Sequence, residues 1–273
     1  MQPRNEGAGY GNKTEDGRMA FQKGLERLDK AIAAQTKLSR KDVHRLFSRG
    51  QILVNGQSVR SFDSRVDFEN DEVLLEGKPL RLKRYSYLMM NKPAGVVCAV
   101  SDAALPTVID LLPDELRRSG LFPAGRLDKD TTGFVLITND GDFAHRILSP
   151  KSHVPKTYLA RLDKPAPEGL VQAFAKGVTL PPERGEQRGS APEKRRETRC
   201  LPAQLSFVGE DRTAARVVIR QGVYHQVKRM FSAFGLTVTS LRREKIGGLA
   251  LDPGLEPGKC RELSKIEVES IEG

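Results

Sequence analysis

Tryptophan is absent from this 273-residue chain, which holds only three cysteines and four histidines. Cys98, Cys200 and Cys260 are odd in number, far apart and never spaced as C-x-x-C. That leaves no basis for a disulfide framework or a zinc site, so no metal is expected. No run of about 18 apolar residues is available to span a membrane. The first residues lack the apolar stretch of a secretory signal. A reducing cytoplasm is the expected setting. Hydrophobic residues make up 38% of the chain and charged residues 29%, so part of it is expected to be solvated tail or linker.

What the sequence has is positive charge. Lysine and arginine number 45 against 35 acidic residues, a net +10. Such a balance suits a polyanionic partner, although solubility alone also accounts for it. The length allows two domains. Residues 1–24 carry almost no apolar periodicity and read as a disordered tail. Residues 25–82 read as a small α/β unit. Leu25, Leu28 and Ile32 fall at helical spacing, and Ser39 with Asp42 makes a start signal for a second helix. On that helix Val43, Leu46 and Phe47 share one face, while Lys41, Arg45 and Arg49 step along another; Lys37 and Arg40 add charge at its start. Ile52 to Val59 reads as a hairpin around an Asn55-Gly56 turn. Asp71 to Glu76 is predicted to be a further strand.

Residues 83–273 form the second predicted domain. Tyr87 to Val97 reads as an apolar strand entering a Lys92-Pro93-Ala94-Gly95 turn. Thr107 to Leu112 is predicted to be a helix. Gly125-Arg126-Leu127-Asp128-Lys129-Asp130-Thr131-Thr132-Gly133 follows, a polar loop bracketed by glycines and anchored by the apolar strand Phe134-Val135-Leu136-Ile137. Asp142 is expected to cap a helix with Phe143, Ile147 and Leu148 inward. Lys156 to Leu162 and Arg216 to Arg220 read as strands, and Gln172 to Val178 as a helix. The polar, aperiodic stretch 184–196 is predicted to be a mobile loop. Tyr224-His225-Gln226-Val227-Lys228-Arg229-Met230-Phe231 leads from a glycine turn into a helix.

Three of these blocks carry a resemblance: the 125–133 loop, Lys156-Thr157-Tyr158, and the 224–231 string. Together they are similar to the RNA pseudouridine synthases that modify ribosomal RNA, and the third is closest to the small-subunit branch. Arg242 to Gly248 and Pro257 to Arg261 also match that branch. The 25–82 unit resembles the S4 RNA-binding domain, through Arg27-Leu28-Asp29-Lys30, Ser39-Arg40 and Gly50 to Gly56. The resemblance implies an α+β protein: an S4-like module followed by a mixed, mainly antiparallel-sheet catalytic domain. Periodicity by itself says only that strands and helices mix.

The resemblance also implies a chemistry without cofactor, in which an N–C glycosidic bond of uridine is exchanged for a C–C bond. Asp128 is then the nucleophile, attacking either uracil C6 or ribose C1′. Lys228 would keep it ionised, where other members often carry Arg. Tyr158 would stack on uracil or serve as the base at C5; without the resemblance it reads as a core tyrosine. Arg126, Lys37, Arg40, Lys41, Arg45, Arg49, His225 and Arg229 are the candidate RNA contacts, Arg126 filling the stack left by a flipped base. The implied partner is 16S rRNA or a small-subunit assembly intermediate, at the position-516 uridine of that branch, met by a monomer. A 23S rRNA substrate and a non-catalytic ribosome-assembly role are the alternatives. Taken alone, Asp128 and Asp130 also fit a paired-carboxylate hydrolase or an Asp-x-Asp metal site, and Asp130, Thr131 and Thr132 fit side-chain bonds that stabilise the loop.

Overall fold

The computed structural model describes residues 25–36, 38–149, 152, 154–180 and 197–272. The predicted tail, Lys37 and the 184–196 stretch lie outside the described residues. The chain divides into two units between Arg84 and Tyr85. No described helix is long and apolar enough to cross a membrane.

The first unit begins with β1 (Leu25–Arg27), α1 (Leu28–Gln35) and α2 (Arg40–Ser48). Leu25, expected on the helix, is in β1, which pairs antiparallel with β4 (Arg65–Asp67). Pairing across the chain overrides the local helical spacing there. Ser39 accepts from Asp42 N–H while the Asp42 carboxylate accepts from Ser39 N–H, a complete capping box. Strands β2 (Ile52–Val54) and β3 (Gln57–Ser58) form the hairpin. Asn55 and Gly56 have φ of 50° and 78°, the left-handed pair that a type I′ turn requires. Strands β5 (Val73–Leu75) and β6 (Lys78–Pro79) complete a four-stranded sheet in the order β3-β2-β5-β6. Leu28, Ile32, Val43, Phe47, Ile52 and Val66 are the centre of this unit's own core.

The second unit is built on a nine-stranded sheet. Its strands are β7 (Tyr87–Lys92), β8 (Phe122–Pro123), β9 (Thr132–Thr138), β10 (Lys156–Leu162) and, after α3 (Gly141–Leu148), α4 (Leu170–Ala175) and the separate β11 (Thr179–Leu180) and β12 (Thr198–Arg199) pair, β13 (Gln204–Phe207) and β14 (Ala214–Ile219). Helix α5 (Gln226–Ser232) precedes β15 (Val238–Ile246), β16 (Leu249–Ala250), β17 (Cys260–Glu262) and α6 (Lys265–Glu272). The main order is β13-β14-β10-β15-β9-β7-β17, with β16 beside β15 and β8 beside β9. Among the described strands of this sheet, only β15 and β9 pair in parallel.

Strand periodicity sends alternate residues to two cores. Leu88, Met90, Val135 and Ile137 face α4 and α5, where Phe174 and Phe231 meet at 5.1 Å. Met89, Phe134 and Leu136 face α3 and α6. Each fully buried phenylalanine contributes about 2–3 kcal/mol.

Three expectations need correction here. Thr107 to Leu112 is a single turn, not a helix: the Asp110 carboxylate accepts from both Thr107 N–H and Thr107 Oγ1, and Pro113 follows. Asp140, not Asp142, caps α3, accepting from Phe143 N–H at 3.0 Å. Leu148 is 43% exposed, while Phe143 and Ile147 are buried, because the last turn of α3 runs past the edge of the core.

Candidate active site

The 125–133 loop enters the sheet at its one parallel seam. Gly133 lies opposite Lys92 on β7 and Arg243 on β15. It has φ of +98°, and a Cβ there would sit 2.3 Å from the Arg243 carbonyl oxygen. Only glycine fits. Two buried cations therefore flank the root of the loop.

Lys92 is fully buried, and its Nζ donates to the carbonyls of Pro93, Lys129 and Thr131 at 3.0, 3.1 and 2.8 Å. Burial pulls its pKa below the ordinary lysine value. Gly95 N–H donates to the same Lys129 carbonyl at 2.9 Å. Leu127 N–H donates to Cys98 Sγ at 3.4 Å; burial pushes that thiol's pKa up. Arg243 is 3% exposed. Its Nε donates to Phe134 O at 2.7 Å and its Nη1 to the Tyr158 hydroxyl at 3.5 Å, while Nη2 has no hydrogen-bond partner among the described residues. The loop is thus held from below by buried donors and acceptors while its acids face outward.

Asp128 keeps 26% of its side chain exposed. Lys228 Nζ lies 3.3 Å from Oδ2, and His225 Nε2 lies 3.4 Å from Oδ1. Thr131 Oγ1 is 3.5 Å from Oδ2. Both basic residues come from the start of α5. His225 is its N-cap, in the left-handed conformation at φ 48°, a strained choice for a non-glycine residue. That turn stacks the imidazole on Tyr224 at 3.8 Å. Lys228 is shared: its Nζ reaches Asp130 Oδ1 at 2.6 Å, and that hydrogen bond holds the Asp130 carboxyl below its ordinary value. Asp130, read as a loop-stabilising residue that bonds the backbone, instead takes the tighter half of the lysine.

A partly exposed carboxylate on a rigid loop, between a lysine and an imidazole, suits covalent attack on an electrophilic carbon. Comparison with known proteins narrows this chemistry. The family described as RNA pseudouridylate synthase matches residues 86–233, the stretch containing every one of these acids and α5. The chain belongs to this family. These enzymes are isomerases. Ribosomal small subunit pseudouridine synthase A of Escherichia coli K12 is 42% identical over 246 residues, covering 90% of this chain and 99% of that protein. The Bacillus subtilis protein named uncharacterized RNA pseudouridine synthase YtzG is 40% identical over 245 residues, covering 90% and 98%. A crystal structure of a pseudouridylate synthase is 39% identical, with a TM-score of 0.59, covering 90% of this chain and 99% of that one.

Within this synthase the sequence-derived candidates fall into groups. Asp128, Lys228 and His225 come together. Tyr158 is buried on β10 and meets Arg243; no hydrogen bond joins it to Asp128 among the described residues. Nearby, burial and the Arg243 charge pull Lys156 down to about 8. Arg126 is exposed within the loop, two residues before Asp128, and Arg229 donates from Nη1 to Tyr224 O at 3.3 Å. In the first unit Arg40, Lys41, Arg45 and Arg49 are exposed along α2, with Arg45 paired to Asp42. Lys37 lies outside the described residues. Sequence reasoning missed Lys92, Cys98 and Arg243 as functional. Lys92 read as part of a turn and Arg243 only as part of a matching string; their burial, rare for such residues unless they are paired, is set by the strands around them.

Proposed function

We propose that this synthase converts one uridine of small-subunit rRNA to pseudouridine, with Asp128 as the nucleophile. The observation that carries the reading is the Asp128 carboxylate, exposed on a loop tied down by Lys92 and flanked by Lys228 and His225. The E. coli relative named for the small ribosomal subunit supports the substrate class. The target is the position-516 uridine of that branch in 16S rRNA, free or in an assembly intermediate, met by a monomer in the cytoplasm.

In this reading the uridine leaves its stack and enters above the loop, with Arg126 taking the vacated space. Lys228 and His225 orient Asp128 from its two sides. Asp128 bonds covalently to the nucleotide, at C6 or C1′, as the N1–C1′ bond breaks. The uracil turns, C5 bonds to C1′, the bond to Asp128 breaks and returns the free carboxylate, and the C5 proton leaves while N1 gains one, so atoms and charge balance. Tyr158 stacks on the base or takes that proton. The first unit acts as an S4-like module, with Lys37, Arg40, Lys41, Arg45 and Arg49 on the phosphate backbone.

The test is pseudouridine mapping on 16S and 23S rRNA, free and as partly assembled subunits, with wild type beside Asp128→Asn. One new pseudouridine in 16S, lost in the variant, is the expected result. Product only in 23S would move the substrate to the large subunit. Product that survives the substitution would remove Asp128 from the mechanism. Tight rRNA binding without product would favour an assembly factor.

A further inference from the structure

Phe62 is an unusual residue to leave in solvent. It sits in the loop between β3 and β4 with 47% of its surface exposed. The ring is nonetheless fixed. Its neighbour His44 stacks on it at a centroid distance of 4.5 Å and an interplanar angle of 25°. The Arg27 guanidinium lies 6.0 Å from its centroid. Both partners are bonded to one buried carboxylate. Asp29, 1% exposed, accepts from Arg27 Nε and Nη2 at 3.1 and 3.0 Å and lies 3.2 Å from His44 Nε2. Burial raises the Asp29 pKa, but the bonds from Arg27, His44 and Lys30 N–H outweigh it and hold the carboxyl low. The loop is clamped as well: Val59 N–H donates to Ile52 O at 2.9 Å, and Leu28 N–H donates to Ser64 O at 2.8 Å.

This is a braced aromatic surface, not a stray apolar side chain. Its surroundings are cationic. Arg40 and Lys41 precede His44 by four and three residues on α2, so they share its face. Both are exposed, as is Arg60 at the start of the loop. A flat ring held rigidly among cations matches a flat, unpaired base carried on a phosphate backbone.

We propose that Phe62 is a stacking platform for an unpaired nucleobase of single-stranded RNA, with Arg40, Lys41 and Arg60 receiving the flanking phosphates. The proposal rests on the reading that this chain acts on RNA, and adds to it a base-contacting site in the first unit.

The absence of tryptophan supplies the test. Phe62→Trp in the full-length chain carries a single tryptophan. Its emission is followed during titration with a 12-nucleotide oligouridylate and, separately, with inorganic polyphosphate, a polyanion without bases. Oligouridylate should quench the emission and polyphosphate should not. In parallel, Phe62→Leu, apolar but without a ring, should weaken oligouridylate binding about 5- to 100-fold. Phe62→Tyr should bind like wild type, and polyphosphate binding should not change in either variant. Oligouridylate that binds Phe62→Leu as tightly as wild type, or quenching by polyphosphate equal to that by RNA, overturns the platform while the RNA reading stands. Phe62 would then be free for a protein partner. Failure of the wild-type chain to bind oligouridylate or rRNA at all removes the RNA reading and the platform with it.

Discussion

Each unit holds an aspartate between a basic side chain and a histidine, and the two are used in opposite ways. Asp29 is 1% exposed and saturated, with two bonds from Arg27, one contact from His44 and one from Lys30 N–H, all within 3.2 Å. Asp128 is 26% exposed, its Lys228 and His225 contacts lie at 3.3 and 3.4 Å, and Lys228 is drawn the other way by Asp130. The same trio of groups makes a structural brace when it closes and leaves a carboxylate able to react when it does not. What separates them is the number and length of hydrogen bonds, since each strong bond to a carboxylate oxygen stabilises its charge and lowers its nucleophilicity.

The largest effect should come from removing each charge in turn. Asp128→Asn should cut pseudouridine formation by about 10⁴-fold or more with little change in the thermal unfolding midpoint. Asp29→Asn should do the reverse, retaining the rate at saturating RNA while destabilising the first unit by about 1–3 kcal/mol. Steady-state rates beside calorimetric unfolding of both variants would decide. If both lost activity equally, the contrast between brace and nucleophile would be wrong.

Next in size is the rigid root that lets Asp128 stay under-bonded. Gly133→Ala places a methyl group 2.3 Å from a carbonyl oxygen at a positive φ, and should destabilise the second unit by about 2–5 kcal/mol in denaturant titrations. Lys92→Met removes donors to three carbonyls. A shift of the loop by a fraction of an ångström should lower kcat about 10- to 100-fold, with KM for RNA affected less.

A smaller change should convert one aspartate toward the other. Asp130→Asn frees Lys228 to bond Asp128 alone, so Asp128, the proposed nucleophile, becomes more like Asp29. The rate should fall about three- to tenfold, and a crystal structure of the variant should show a shorter Lys228–Asp128 contact. The smallest effect is in pH. The Asp29 pKa is lowered on folding from an ordinary value of 3.8. Its contribution is therefore full above that value and is lost as the pH falls through the folded pKa. Unfolding midpoints of wild type below pH 4 should drop more steeply than those of Asp29→Asn.

Much of this arrangement was legible in the residues. The β2–β3 hairpin follows from Asn55-Gly56, the α2 start from Ser39 and Asp42, and β9 and β10 from their β-forming runs. The loop around Asp128 stands out because glycines bracket it and an apolar strand anchors it. What could not be read was anything set by long-range register. Leu25 joined a strand because β4 was there to receive it. Arg243 lies beside Gly133 only because β15 runs parallel to β9, and nothing local to either segment announces that pairing. Lys228 could be assigned to Asp128, but its division between two carboxylates depends on where α5 meets the loop. Tyr158 read as either core or cleft, and its bond to Arg243 is again a matter of neighbouring strands.

The parallel seam also has a consequence in time. Thr132 and Arg242, partners across it, are separated by more than a hundred residues of chain, and the ribosome adds about 5–20 residues each second. The first unit has its whole core in hand by Leu82 and is free to fold while the rest is still being made. The Asp128 loop must wait several seconds more, until β15 has emerged, before its second neighbour exists. A nascent chain stalled before that point would carry a finished first unit and an unfinished catalytic centre.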